Sequence, residues 1–226
     1  MIHAVIFDFD GLLADSERLW RKAERIVFAR VGVNLTDTDC LQTTGMRVEE
    51  VVSYWYRRFP WENEAASPVG DQLVDEMVNL FLRESEPKPG ATATLRFIAS
   101  QRRADGSAMP VAIASSSPCR LLEAAIKRFG WQGIFQLINS AQHEAYGKPH
   151  PAVFLTTAEM LKVHPEECLV FEDSLPGLIA AKAARMKCVA VPEAHNLQDA
   201  RFSLADFILE SLDDFTPALW GNLNPS

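Results

Sequence analysis

Ile2 to Ser16 reads I-H-A-V-I-F-D-F-D-G-L-L-A-D-S, an apolar run that stops abruptly at two carboxylates, Asp8 and Asp10. Ala4, Val5, Ile6 and Phe7 have the character of a strand covered on both faces, as in a parallel sheet. Charges do not belong inside such a strand, so Asp8 and Asp10 should emerge at its carboxyl end, where open α/β sheets place their ligands. Side chains alternate along a strand, which sets the two on the same side. Held together there they repel one another unless a cation or a proton intervenes, and we read them as a metal-dependent catalytic pair. Asp followed by Gly11 is also an ordinary turn signal, so this motif alone leaves a loop-forming role open.

Outward from this stretch the pattern is helical. From Asp15 to about Arg30 the apolar residues Leu19, Ala23, Ile26, Val27 and Val31 fall at helical spacing. Val48 to Phe59 repeats it. Ser67-Pro68 opens a further helix as N-cap and first-turn proline, with Val69, Leu73, Met77 and Leu80 as its inner stripe. The proline-rich E-P-K-P-G, Glu86 to Gly90, is the clearest linker. Behind it helices and strands alternate: helix 91–103, strand 110–115, helix 118–129, a short strand near 135–138, helix 151–161, strand 168–171, helix 175–185, strand 187–191 and a last strand near Phe207.

Such alternation predicts an α/β fold, a Rossmann-like parallel sheet with helices on both faces. The first strand must join that sheet to satisfy its backbone. Residues 1–14 and 89–226 then form the core domain, and 15–88 a helical insertion above the strand ends. Hinges near Ala14 to Ser16 and Glu86 to Gly90 would let the insertion close as a lid and exclude water. The carboxyl tail, G-N-L-N-P-S, is expected to fray.

Composition narrows the function classes. A chain of 226 residues can hold one full core with an insertion. Its net charge of -8 argues against a general nucleic-acid or anionic-membrane surface. No stretch approaches the ~20 apolar residues of a membrane span, and Asp8 interrupts any signal-peptide pattern, so a cytoplasmic location is expected. The four cysteines, Cys40, Cys119, Cys168 and Cys188, are widely spaced and read as free thiols. The five histidines are scattered, and His150 in K-P-H-P reads as a loop residue. A monomer is expected.

Three later segments join the first. In V-A-I-A-S-S-S-P a strand ends at Ser115, where the hydroxyl can donate to a phosphoryl oxygen and the free N–H groups of Ser116 and Ser117 at a helix start favour an anion. Ser117 can equally cap that helix. In Y-G-K-P-H-P, Tyr146 to Pro151, proline-bounded Lys148 can be aimed at the same point to offset charge on a transferring phosphoryl group. In L-V-F-E-D-S-L-P-G another strand ends in two acids, Glu172 and Asp173, with Asp173 or Ser174 available as a helix cap. Four acids at adjoining strand ends make a hard oxygen cage suited to Mg²⁺.

In this order the four segments resemble the haloacid dehalogenase superfamily along the whole chain. The resemblance implies Asp8 as nucleophile, Asp10 as general acid/base, Ser115 and Lys148 as phosphoryl-binding residues, and Mg²⁺ held by Asp8, the backbone carbonyl of Asp10, Asp173 and Glu172, the last directly or through water. The insertion looks like the family's first-type cap. Within the family the chain is most similar to the β-phosphoglucomutase and sugar-phosphate phosphatase branch, including 2-deoxyglucose-6-phosphate and hexitol-phosphate phosphatases. The mutase carries a histidine where Trp20 stands, which argues for hydrolysis of a small phosphorylated sugar or polyol over mutase activity. A phosphometabolite-binding protein without turnover is a further alternative.

Substrate contacts are expected from Glu17 and Trp20 in D-S-E-R-L-W, from Ser116 and Ser117, and from the loop T-T-G-M-R. There Gly45 would allow close approach, and Arg47 would reach a sugar hydroxyl or distant phosphate. Tyr54, Trp55, Tyr56, Phe59 and Trp61 could line a sugar pocket, but at that spacing we expect them to pack the insertion's own core.

Overall fold

The run that opens the chain is a strand, β1 (Ala4–Phe7), with every residue buried. In the computed structural model, which describes residues 1–62 and 66–225, five further strands join it: β2 (Val111–Ser115), β3 (Leu137–Ser140), β4 (Cys168–Glu172), β5 (Lys187–Ala190) and β6 (Phe207–Ile208). All pair in parallel in the order β3-β2-β1-β4-β5-β6. That order reverses beside β1, and the reversal opens a crevice at the strands' carboxyl ends.

The helices in chain order are α1 (Glu17–Arg30), α2 (Asp37–Cys40), α3 (Val48–Arg58), α4 (Ala66–Glu84), α5 (Ala91–Ser100), α6 (Cys119–Phe129), α7 (Ala152–Leu161), α8 (Leu175–Ala183) and α9 (Pro217–Leu223). Strand alternation sorts the sheet's side chains to two faces. Val5, Phe7, Ile113, Phe171 and Val189 share one core with Leu95 and Ile98 of α5 and Leu121 and Leu122 of α6. Ala4, Ile6, Ala112, Ala114 and Val170 share the other with Phe154 and Ala158 of α7 and Leu178, Ala180 and Ala181 of α8. The Phe7 and Phe171 rings stack at 4.7 Å, packing β1 against β4 on the first face.

Helices α1 to α4 follow β1 directly and contribute no strand to the sheet. Leu19, Ala23, Val27 and Phe28 of α1 are buried with Leu73, Met77, Leu80 and Phe81 of α4 and with Trp55 of α3. Trp55 and Trp61 both meet the Phe28 ring edge-on and pack as expected, whereas Tyr56 and Phe59 are exposed and only lie against Trp61 and Trp55 from outside. The two connections into this bundle run together, with Asp15 N–H donating to Glu86 O at 3.1 Å and Lys88 N–H to Leu13 O at 2.9 Å.

Several expectations are corrected. Helix α4 already begins at Ala66, so Ser67 lies inside it, although Pro68 still falls in the first turn where no backbone donor is needed. Helix α5 stops at Ser100 rather than 103, because Arg102 bridges to Ala108 around the turn at Gly106. Strand β3 starts two residues late, since Phe135 packs edge-on against Trp131 instead of entering the sheet. The carboxyl tail is docked rather than frayed as far as Asn224, and Ser226 lies outside the described residues. Trp220 and Leu223 are buried, Asn224 Oδ1 accepts from Ile2 N–H at 2.6 Å, and Lys187 Nζ donates to Leu223 O. Among the described residues no helix is long and apolar enough to cross a membrane, and all four cysteines are free.

Candidate active site

Asp8 N–H donates to Phe171 O at 3.0 Å, extending the β1–β4 pairing by one residue and fixing Asp8 at the crevice. Lys148, from the loop before α7, puts Nζ 2.6 Å from Asp8 Oδ1 and 2.5 Å from Glu172 Oε1, with the Phe154 ring beneath at 4.8 Å. Glu172 ends β4 and is fully buried. Its second oxygen, Oε2, accepts from Ser174 N–H at 2.8 Å and from Ser174 Oγ at 2.9 Å. Ser174, not Asp173, caps α8, its Oγ accepting from Gly177 N–H.

Two glycines are required here. Gly11 adopts φ 73°, and a Cβ on it would stand 2.2 Å from Asp173 Oδ2. A Cβ on Gly177 would collide with the Glu172 carboxylate at 1.6 Å. Both let backbone close around the acids.

Carboxylate oxygens of Asp8, Glu172 and Asp173 lie within 4.8 Å of one another. Burial raises the Asp8 pKa to about 8; Lys148 pulls it down, and Glu172 and Asp10 push it back up. Asp173 is driven well above the ordinary range by burial first, then by Glu172 and Asp8. Burial opposes the charge on Lys148, but Asp8 and Glu172 outweigh it and hold its pKa up. One lysine therefore does not balance three acids. An all-oxygen cluster that is short of positive charge fits a hard divalent cation.

Asp10 stands apart from that cluster. Its Oδ1 accepts from Ser16 Oγ at 2.7 Å and from Trp20 Nε1 at 2.9 Å, and its Oδ2 from Ser117 Oγ at 2.6 Å. Its carboxylate is thus not among the clustered oxygens, which leaves only its backbone carbonyl for the metal role expected of it. Ser115 Oγ lies 3.4 Å from Asp10 Oδ2 and accepts from Ser117 N–H at 3.0 Å. That N–H is therefore not free for an anion, and Ser117 does not cap α6, where Pro118 holds the cap position. Ser116 Oγ, buried without a partner, is the open donor on this loop.

These groups open into a cavity of about 400 Å³ between the strand ends and the helical insertion. Glu17, Trp20 and Gly45, the expected substrate contacts, line it. Burial, with Asp10 and Glu193, raises the Glu17 pKa to about 8. A Cβ on Gly45 would meet nothing, so its φ of 78°, not close approach, is what calls for glycine. Arg47 is elsewhere. Its Nη1 donates to Glu144 O at 2.7 Å and to Ala141 O at 3.3 Å, its Nη2 to Glu50 Oε1, and it does not line the cavity. It ties α3 to the loop that leads to Lys148, its guanidinium being spent on those carbonyls and on Glu50.

A family model of haloacid dehalogenase-like hydrolases matches residues 2–185. The chain belongs to this family. It is 39% identical over 216 residues, 95% of each chain, to hexitol phosphatase B of Escherichia coli strain K12. It is similar to CbbY of Rhodobacter sphaeroides solved with xylulose-(1,5)bisphosphate, with a TM-score of 0.83 and 25% identity over 95% of this chain and 96% of that one. It shares its fold with β-phosphoglucomutase of Clostridium difficile, with a TM-score of 0.81 and 23% identity over 98% and 96% of the two chains. This haloacid dehalogenase-like hydrolase is an enzyme of the phosphatase type, a phosphoric monoester hydrolase.

Two residues of the site, Ser16 and Glu24, carry no site role in the sequence reading. Ser16 is a hydroxyl six residues beyond Asp10 in the same acidic stretch, while Ser174 is anticipated as a cap but not as a donor to Glu172. Glu24, which also lines the cavity, was signalled only by its helical spacing from Glu17, Trp20 and Arg21.

Proposed function

We propose that the chain is a Mg²⁺-dependent phosphatase hydrolysing a small phosphorylated sugar or polyol through an aspartyl phosphate on Asp8. The observation that carries this reading is the separation of the two aspartates: Asp8 lies in the acid cluster on Lys148, while Asp10 is held by Ser16, Trp20 and Ser117 in the same cavity. Asp8 would attack phosphorus in line, forming the Asp8 oxygen–phosphorus bond as the ester oxygen leaves with a proton from Asp10. Asp10 would then take a proton from water as it attacks the phosphoryl group, releasing inorganic phosphate and restoring Asp8. Lys148 offsets charge on the transferring group, and Ser116 Oγ supplies a hydrogen bond to it.

Mg²⁺ held by Asp8, Asp173, the backbone carbonyl of Asp10 and Glu172 supplies positive charge that lets a phosphate dianion approach these carboxylates. Glu172 already spends both oxygens on Lys148 and Ser174, which favours contact through water. Residues 15–88 act as a cap over a core of 1–14 and 89–226, and the paired connections at Asp15–Glu86 and Leu13–Lys88 serve as its double hinge. Trp20 already donates to Asp10, which favours hydrolysis over phosphomutase action.

The test is a panel of sugar and polyol monophosphates assayed for phosphate release, with glucose 1-phosphate isomers followed separately for mutase products. Hydrolysis of hexitol phosphates should require Mg²⁺, stop on chelation and vanish in Asp8→Asn. Turnover of an aryl phosphate that survives Asp8→Asn would remove the nucleophile.

A further inference from the structure

Glu24 is a buried carboxylate that the phosphoryl chemistry does not use. It sits in the middle of α1, 4% exposed, beside the apolar stripe of Leu19, Ala23, Val27 and Phe28. Its Oε2 accepts from Thr43 Oγ1 at 2.9 Å and from Trp55 Nε1 at 3.1 Å. Among the described residues no ion pair includes it. A glutamine would satisfy the same two donors without the cost of burying a charge, so packing alone does not account for a carboxylate here.

Its position gives the charge a use. Glu17, Trp20, Arg21 and Glu24 all line the cavity, at the i, i+3, i+4, i+7 spacing of one helix face. Trp20 touches Asp10, at the phosphoryl end. Glu24 lies one turn further along α1, a rise of about 6 Å. A substrate whose phosphate is at Asp8 therefore brings atoms several carbons away to Glu24. An ionised carboxylate only accepts hydrogen bonds, so what meets it must donate them. Glu193 lines this cavity together with Glu24, and above about pH 7 the two carboxylates would repel a second phosphate, opposed by Arg21 but not by Arg201, which is paired with Asp199.

We infer that Glu24 determines specificity at the far end of the cavity, accepting hydrogen bonds from the distal hydroxyls of a monophosphorylated polyol or sugar and disfavouring a second phosphate. This rests on the sugar or polyol phosphatase reading above. Burial raises the Glu24 pKa to about 7; Thr43 and Trp55, which fix its orientation, and Arg21, the cationic neighbour on the same face, pull it back, so the carboxylate is charged above that pH.

The experiment is steady-state kinetics of wild type and Glu24→Gln, with Mg²⁺, on an aryl phosphate, glycerol 3-phosphate, a pentitol phosphate, a hexitol phosphate and a hexitol bisphosphate. The loss in kcat/KM should grow along the monophosphate series, reaching roughly ten- to hundredfold with the hexitol and residing in KM. The bisphosphate should gain relative to the monophosphate. A loss of equal size across the series, or one confined to kcat, overturns the inference. If Glu24→Gln does not fold, Thr43→Val, which removes one donor to Oε2 and keeps the carboxylate, is read the same way with a severalfold, length-dependent loss. Failure of the underlying reading has a different signature: wild type itself would show no rise in kcat/KM from glycerol to hexitol phosphate. In the case particular to Glu24, wild type rises and the variant follows in parallel.

Discussion

The floor and the wall of the cavity both bury carboxylates, and they keep them in opposite ways. On the floor, at the strand ends, Asp8, Glu172 and Asp173 crowd around one lysine. On the wall, in α1, Glu24 is met by a hydroxyl and an indole N–H. Burial raises the pKa of both, Asp8 to about 8 and Glu24 to about 7, but the main relief differs: Lys148 lowers the first, while hydrogen bonds from Thr43, Trp55 and Cys40 lower the second, with Arg21 adding a smaller share. A cluster partly neutralised by a fixed cation, and still short of charge, is suited to binding a metal and a phosphoryl group. An acid held by neutral donors alone is suited to recognising hydroxyls.

Asp10 is where this comparison is most exposed, because it sits on the floor yet has only neutral donors. If neutral donors mark a group that exchanges protons, Asp10→Asn should slow alkyl phosphates by roughly a hundredfold to ten-thousandfold. An aryl phosphate, whose leaving group needs less protonation, should lose far less. Equal losses would move Asp10 into the metal-binding set and break the distinction. Next in size is Lys148→Met, expected to cost roughly a hundredfold to a thousandfold in kcat by removing charge at the phosphoryl group. It should also destabilise the metal-free protein, and increasingly so as the pH rises through 8, because without Lys148 native Asp8 keeps its proton to a higher pH than in wild type while the unfolded chain has released it. Denaturant titrations at pH 6 and pH 9 check this, and a pH-independent difference would count against it.

The floor was legible in the sequence and Glu24 on the wall was not, for a physical reason. A strand covered on both faces must be apolar, so Asp8, Ser115 and Glu172 mark its end wherever they occur, and parallel alternation brings those ends together. Glu24 stands between Ala23 and Arg25, where a charged residue ordinarily faces solvent. Only the packing of Thr43 and Trp55 against α1 buries it, and neither is near it in sequence. Ser117 was misjudged on similar grounds, since its hydroxyl could serve a local cap or a distant acid and the fold chose Asp10. Helix α2 carried a readable signal in Thr36 and Asp39, a reciprocal cap, but four residues are too few to show periodicity. The docked tail depends on Asn224 meeting Ile2 across the whole chain.

The wall can be tested through stability as well as turnover. Glu24 titrates near 7 in the fold against 4.5 for an ordinary glutamate. Between those values the native state keeps a proton that the unfolded chain has released, so stability falls as pH rises. The full span is on the order of 3 kcal/mol. Glu24→Gln has no such proton, and its stability relative to wild type should improve steadily from pH 4.5 to 7. Comparing the two proteins removes the slopes from Asp8, Glu17 and Asp173, which both share. Parallel curves would mean that Glu24 is not held as the structure describes.

The smallest effect separates floor from wall most sharply. Trp20 shares a face of α1 with Glu24 but gives its N–H to Asp10, beside Ser16 on the same oxygen. Trp20→Phe keeps the bulk and removes one of the three short donors that hold Asp10. With Ser16 and Ser117 still in place, alkyl phosphate turnover should fall roughly three- to tenfold. Since the lost bond concerns the proton donor and not the substrate's tail, the loss should be the same for glycerol and hexitol phosphates. Glu24→Gln, one turn away on that helix, should instead lose more with each added carbon. A Trp20→Phe loss that grows with chain length would assign Trp20 to the wall, and the boundary between chemistry and recognition would then lie below Trp20, at Glu17 and Ser16.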